Sequence, residues 1–195
     1  PTSGYFPRFR NLHKQETNFL RGYAAGFSSG RSTHSDYSGI GEELEKSMVK
    51  APEYGPWRMG SHMMGETIPK EESQVSLDSK LKDEWGIPQL KIAMDYDDND
   101  EAMIKDYLEQ MSEMFEAAGF TNIRTRDDKR APGLDIHEMG GARMGKDPKT
   151  SVLNEWNQVH ACPNVYVTDG ACMTSTGTQN PSLTYMAMTA RAVDH

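Results

Sequence analysis

Apolar residues return every three or four positions along residues 97–118. Met103, Ile104, Tyr107, Leu108, Met111 and Phe115 fall on one helical face, with charged residues filling the others. Asp97 to Asp100 put acids at the N-terminal end, and Gly119 stands where a C-cap glycine belongs, so this stretch predicts a helix. Elsewhere the period shortens to two. Val75 and Leu77 alternate in QVSLD at 74–78, and Leu90, Ile92 and Met94 alternate in QLKIAMDY at 89–96; both predict strands. The intervening KDEWGIP supplies Gly86 and Pro88 as turn markers. WRMGSHMMGETI at 57–68 reads as a further strand, TNIRTR at 121–126 as a strand leaving the helix, and GEELEKSMVK at 41–50 as a short helix ending before Pro52.

The two ends of the chain are patterned differently. In residues 1–35 Phe19, Tyr23 and Phe27 recur every fourth position, but Gly22, Gly26 and Gly30 weaken a helix. This predicts irregular chain with one strand, its aromatics filling a core. Near the other end, Val165-Tyr166-Val167 follows Pro163-Asn164 and predicts a buried strand. Asp169-Gly170 breaks it, and a small polar loop runs from Thr174 to Gln179. Asn180-Pro181-Ser182 then offers a helix start, with Leu183, Met186, Ala187 and Ala190 as the apolar stripe. Backbone N–H groups at such a start suit an anion or a polar cofactor edge. Strands with helices on one side make the fold class α+β.

With 195 residues, 36% of them hydrophobic, the chain has material for one sizeable core or two small ones. It contains no apolar run of about 18 residues, the length of a membrane span. The first residues lack a charged n-region and apolar core, so no signal peptide is visible in them. The net charge of −8 argues against a nucleic-acid binder. Residues 66–116 hold 15 acids against 5 bases, which reads as a solvated face more readily than as a docking site for a cationic partner. Cys162 and Cys172 flank the predicted C-terminal strand about 30 Å apart, too far for a disulfide. His137-Glu138 opens like a zinc-binding H-E-x-x-H, but Gly141 replaces the second His, so no metal is expected.

Two motifs carry the chemistry. His137 is followed by Gly140-Gly141 and by Met144-Gly145, small residues that allow close approach to an imidazole. Asp169-Gly170-Ala171 precedes Asn180-Pro181-Ser182-Leu183-Thr184, and Asn180 lies 43 positions after His137. Together, over roughly residues 134–194, these resemble the C-terminal signature of the glucose–methanol–choline (GMC) flavin oxidoreductases, in motif closest to the sugar- and polyol-oxidising branch. The valine–leucine–aspartate strand and Gly-x-Pro turn upstream are similar to the family's substrate domain. The resemblance implies a substrate domain over residues 1–150, with an antiparallel sheet backed by helices. Residues 151–195 are then the returning strand–loop–helix of an FAD-binding domain. It implies FAD as cofactor, and His137 and Asn180 as the pair facing the alcohol oxygen. Asp169, Gly170, Asn180, Pro181 and Ser182 are the implied flavin contacts. The remaining histidines (His13, His34, His62, His160, His195) have no motif around them and read as structural.

No Gly-x-Gly-x-x-Gly following an apolar strand is present. The expectation is therefore the C-terminal part of a longer enzyme, inactive by itself, acting on a small-molecule sugar, polyol or other alcohol. The residues leave open whether electrons pass to oxygen, a quinone or an acceptor protein such as a cytochrome. The rival reading is a non-catalytic carbohydrate- or partner-binding module.

Overall fold

A computed structural model describes residues 2–34, 37, 39–50, 53–134 and 136–195. The chain builds an α+β unit around three antiparallel strands in the order β1-β2-β3. These are β1 (Thr2–Phe6), β2 (Tyr23–His34) and β3 (Glu53–Gly65). Between β2 and β3 lies α1 (Glu42–Val49), the short helix expected from its sequence; Pro52, its anticipated stop, lies outside the described residues. The glycine-spaced stretch from Tyr23, expected to be mostly irregular, is instead the central strand of the sheet. Strand neighbours on both sides complete its backbone hydrogen bonds, which outweighs the weak local propensity of glycine.

The 97–118 periodicity gives α2 (Asp98–Ala117), and it packs across one face of that sheet. Phe19, Tyr23, Ala25 and Phe27 meet Met103, Tyr107 and Met111 in one buried cluster. Tyr23 and Tyr107 stack edge to face at 5.5 Å, and the Tyr107 hydroxyl pairs with Ser61 Oγ at 2.7 Å. Burying each of these large side chains stabilises the fold by about 1.5–3 kcal/mol. The helix begins with a capping box: the Asp97 carboxylate accepts the N–H groups of Asn99 and Asp100, and Asp100 accepts that of Asp97. It ends in a Schellman turn, in which Gly119 (φ +83°) donates to Glu116 and Phe120 to Phe115.

A hairpin of β4 (Gln74–Lys82) and β5 (Pro88–Ala93) follows β3, as its alternation predicts. Residues 121–126, expected as a strand, are irregular, because Asn122 turns into the left-handed region at φ +57°. A last pair, β6 (Gln158–Val159) and β7 (Cys162–Tyr166), precedes α3 (Ser182–Asp194). β7 lies near the predicted position but is exposed, at 43% for Val165 and 46% for Tyr166, since its only strand neighbour among the described residues is the two-residue β6. The stripe expected to bury α3 also points outward, with Leu183 and Met186 exposed; the inward face is Tyr185, Met188 and Ala192. Both cysteines are free thiols. No helix among the described residues is long and apolar enough to cross a membrane.

Candidate active site

Residues 137–145 run beside the turn that follows β7. Three backbone bonds join them: Gly140 N–H to Gly170 O at 3.1 Å, Ala142 N–H to Ala171 O at 3.0 Å, and Met144 N–H to Cys172 O at 3.1 Å. Below this ladder Gly145 donates to the carbonyl of Leu153, a fully buried side chain, and Leu153 donates back to Arg143. The two motifs of the sequence therefore share one backbone scaffold.

Gly170 is its junction. A Cβ at this position would lie 2.6 Å from the Glu138 carbonyl oxygen, 2.9 Å from the Tyr185 hydroxyl and 3.2 Å from Met139 Sδ. Only a glycine lets the chain after His137 and the first turn of α3 close on the same point. Tyr185 fastens them further by donating its hydroxyl to Met139 Sδ at 3.5 Å. Burial, then the nearby Asp169 charge, pushes the Tyr185 phenol up, so it remains a neutral donor. Burial likewise pushes the Cys172 thiol up.

The candidate residues themselves are placed as follows. His137 is half-buried and takes φ +68°, a conformation histidine tolerates better than most residues. Its imidazole bonds to no described residue. A Cβ on Gly141 would lie 3.4 Å from Val75 Cγ2, so the β4–β5 hairpin comes to the edge of the same segment. Asp169 is exposed, and its Oδ1 accepts the Ala171 N–H at 3.0 Å, capping the single 3-10 turn Gly170–Cys172. Asn180 is exposed too. It does not cap α3: Pro181, which is buried, takes the cap position, with no side-chain cap. The first intrahelical bond runs from Tyr185 N–H to Pro181 O at 3.1 Å. The N–H groups of Ser182, Leu183 and Thr184 are thus left without helical partners.

Supporting residues went unrecognised in the sequence. Asn157 is fully buried at φ +64° and grips Val167 twice, accepting its N–H at 3.0 Å and donating Nδ2 to its carbonyl at 2.9 Å, two residues before Asp169. The turn-rich composition around it was the only available signal. The Tyr5 hydroxyl on β1 lies 2.9 Å from the carbonyl oxygen of Thr178 and 3.1 Å from its Oγ1, tying the sheet to the loop that leads into Asn180. Those partners are 173 positions apart, beyond any local pattern. His160, expected to be structural, bridges the Gly145 carbonyl and Ser151 Oγ. Two surface concavities lie elsewhere, along α1 and beside Arg31, Tyr54 and Trp57, and neither is lined by a candidate residue.

A family model for GMC oxidoreductases matches residues 69–189. The 2-methyl-1,2-propanediol dehydrogenase of Mycolicibacterium austroafricanum is 31% identical over 92% of this chain and 34% of its own length. Paromamine 6'-oxidase of Streptomyces fradiae is 36% identical over 64% of the chain and 23% of its own. The fructose dehydrogenase large subunit of Gluconobacter japonicus is 27% identical over 80% and 27%. The chain spans about a third or less of the length of these relatives. The match over most of the chain, on the same segments that build the scaffold around Gly170, shows that this protein belongs to the GMC oxidoreductase family.

Proposed function

We propose that the chain is the C-terminal part of an FAD-dependent oxidoreductase that oxidises a CH–OH group of a sugar or polyol, residues 1–150 forming the substrate side and 151–195 the flavin side. The observation that carries this reading is the shared scaffold. It holds an imidazole with no hydrogen-bond partner among the described residues next to a segment fastened to the first turn of a helix that lacks a side-chain cap.

The donor set suits a flavin. Unpartnered N–H groups at Ser182, Leu183 and Thr184 fit the electron-rich carbonyl edge of an isoalloxazine ring. Asp169 lies close enough to this turn for its charge to raise Tyr185. Asp169, Gly170, Asn180, Pro181 and Ser182 are the residues we assign to hold the group, Gly170 and Pro181 through their backbone. When bound, flavin supplies the acceptor for the hydride leaving the alcohol carbon.

The chain's own residues handle the proton. As the carbon–hydrogen bond breaks, the hydroxyl proton must leave, and His137 accepts it. A neutral imidazole nitrogen carries a lone pair that can take this proton, which suits general-base work. The Asn180 amide donates a hydrogen bond to the same oxygen, orienting it without competing for its proton. Relatives named for 2-methyl-1,2-propanediol, paromamine and fructose support a polyhydroxylated substrate.

The test is anaerobic mixing of the full-length, FAD-loaded polypeptide with 2-methyl-1,2-propanediol, D-fructose, D-gluconate and paromamine. Bleaching of the flavin absorbance band by at least one of them is expected. A full-length protein that purifies without flavin and cannot be loaded with it would contradict the reading.

A further inference from the structure

We infer that His62 is a substrate-positioning residue, an imidazole on the open face of the sheet that binds a second hydroxyl of a polyhydroxylated substrate. The inference rests on the alcohol-oxidising reading above.

The three strands place Tyr5, Gly26 and His62 in one row across the sheet, Tyr5 opposite Gly26 and Gly26 opposite His62. Directly paired residues share a face, and successive residues alternate. The neighbours Ala25, Phe27, Ser61 and Met63 meet α2, so the row containing His62 faces away from that helix. Gly26 makes this arrangement possible. A Cβ there would lie 2.3 Å from His62 Cε1 and 2.5 Å from Nε2. The imidazole therefore occupies the space a side chain on β2 would fill, reaching from β3 towards β1.

On β1 the row ends at Tyr5, whose hydroxyl holds buried Thr178 in the loop two residues before Asn180. One face of the sheet thus carries an imidazole at one end of the row and an anchor to the Asn180 loop at the other. His62 is exposed and hydrogen-bonds to no described residue. A histidine that merely decorates a surface needs no glycine opposite it. A neutral imidazole offers one donor and one acceptor, the complement of a hydroxyl group. His137 handles the proton at the reacting oxygen, and His62 would hold a neighbouring one.

The experiment uses the full-length FAD-loaded polypeptide with the panel named above, and three variants. His62→Ala is expected to raise KM by about tenfold, the scale of one lost hydrogen bond, while the limiting rate of flavin reduction changes by less than about threefold. His62→Gln, which keeps a donor and an acceptor, should recover most of that loss. Gly26→Ala needs no unusual backbone angle and displaces only the end of a flexible side chain, so it should raise KM as His62→Ala does. Independently, the histidine Cε1–H resonance that vanishes in His62→Gln should shift on saturation with a panel member.

A KM within twofold of wild type in His62→Ala, or a His62 resonance unmoved by every panel member, overturns the inference. So does a collapse of the limiting rate at unchanged KM. Those results would leave the role of His137 standing. Conversely, wild-type reduction by His137→Ala would sink the assignment of the base while leaving the KM and resonance readouts of His62 interpretable.

Discussion

Asp106 sits where three parts of the chain meet. Arg10 donates two bonds to its carboxylate, at 2.9 and 2.8 Å, and the Tyr23 hydroxyl donates a third at 2.6 Å. Burial pushes the Tyr23 phenol well up, and the bond to Asp106 adds to the shift, so Tyr23 stays a neutral donor. Asp106→Ala would strand a buried phenol and a partly buried guanidinium, at a cost of about 2 kcal/mol. Urea unfolding should show a lower midpoint at unchanged slope, and an unchanged midpoint would refute the account of this cluster. In the sequence Asp106 is one more acid on an acidic helix. Its partners lie 96 and 83 positions away, so nothing local distinguishes it. His137 and Asn180 could be nominated from the sequence because motifs surround them, whereas nothing local nominates His62, whose place opposite Gly26 comes from the strand register.

Among elements, α2 was readable because every signal in it is local: periodicity, acidic start and terminal glycine. Gly119→Ala forces a side chain into the left-handed region at φ +83° and should cost about 1 kcal/mol. A thermal unfolding midpoint at or above wild type would contradict that. The helix start also predicts a pH dependence. The Lys70 ammonium, then the Asp100 N–H, hold the Asp97 carboxyl below its ordinary range. A depressed carboxyl stabilises the fold above the unfolded value of about 3.9 and loses that contribution as pH falls through the folded one. Asp100, raised mainly by burial, has the opposite sign: it favours the fold when protonated, and that advantage is lost as pH rises through its folded value. Asp97→Asn should therefore be less stable than wild type at about pH 6, with the gap narrowing towards about pH 3. A gap that stays constant across that range would disprove the coupling. β2 and residues 121–126 depart from their sequence patterns for different reasons, one set by strand neighbours and one local. Paired on both sides, a glycine-rich stretch became the central strand, while one left-handed Asn kept a β-favouring stretch irregular.

At the scale of the molecule, the described residues leave much apolar surface open. Val75, Leu77, Leu90 and Ile92 on the hairpin, and Leu183 and Met186 on α3, are all exposed. α3 patterning correctly gave a helix but placed its stripe inward, because periodicity reports that a face is apolar and not what covers it. The chain spans about a third of its relatives' length, and on the proposed reading the N–H groups at the start of α3 would supply only one side of a flavin pocket. The 195-residue chain alone should therefore bind FAD no more tightly than micromolar in isothermal titration, and submicromolar affinity would show that the cofactor site has been misplaced. The account's central claim is that His137 takes the proton during alcohol oxidation. Stopped-flow reduction of the full-length, flavin-loaded enzyme by saturating substrate tests it most directly. His137→Ala should slow flavin reduction by about 10²–10⁴-fold, the usual contribution of a general base, with flavin still bound, and Asn180→Ala should slow it by less. Reduction of folded, flavin-loaded His137→Ala at the wild-type rate would contradict the claim.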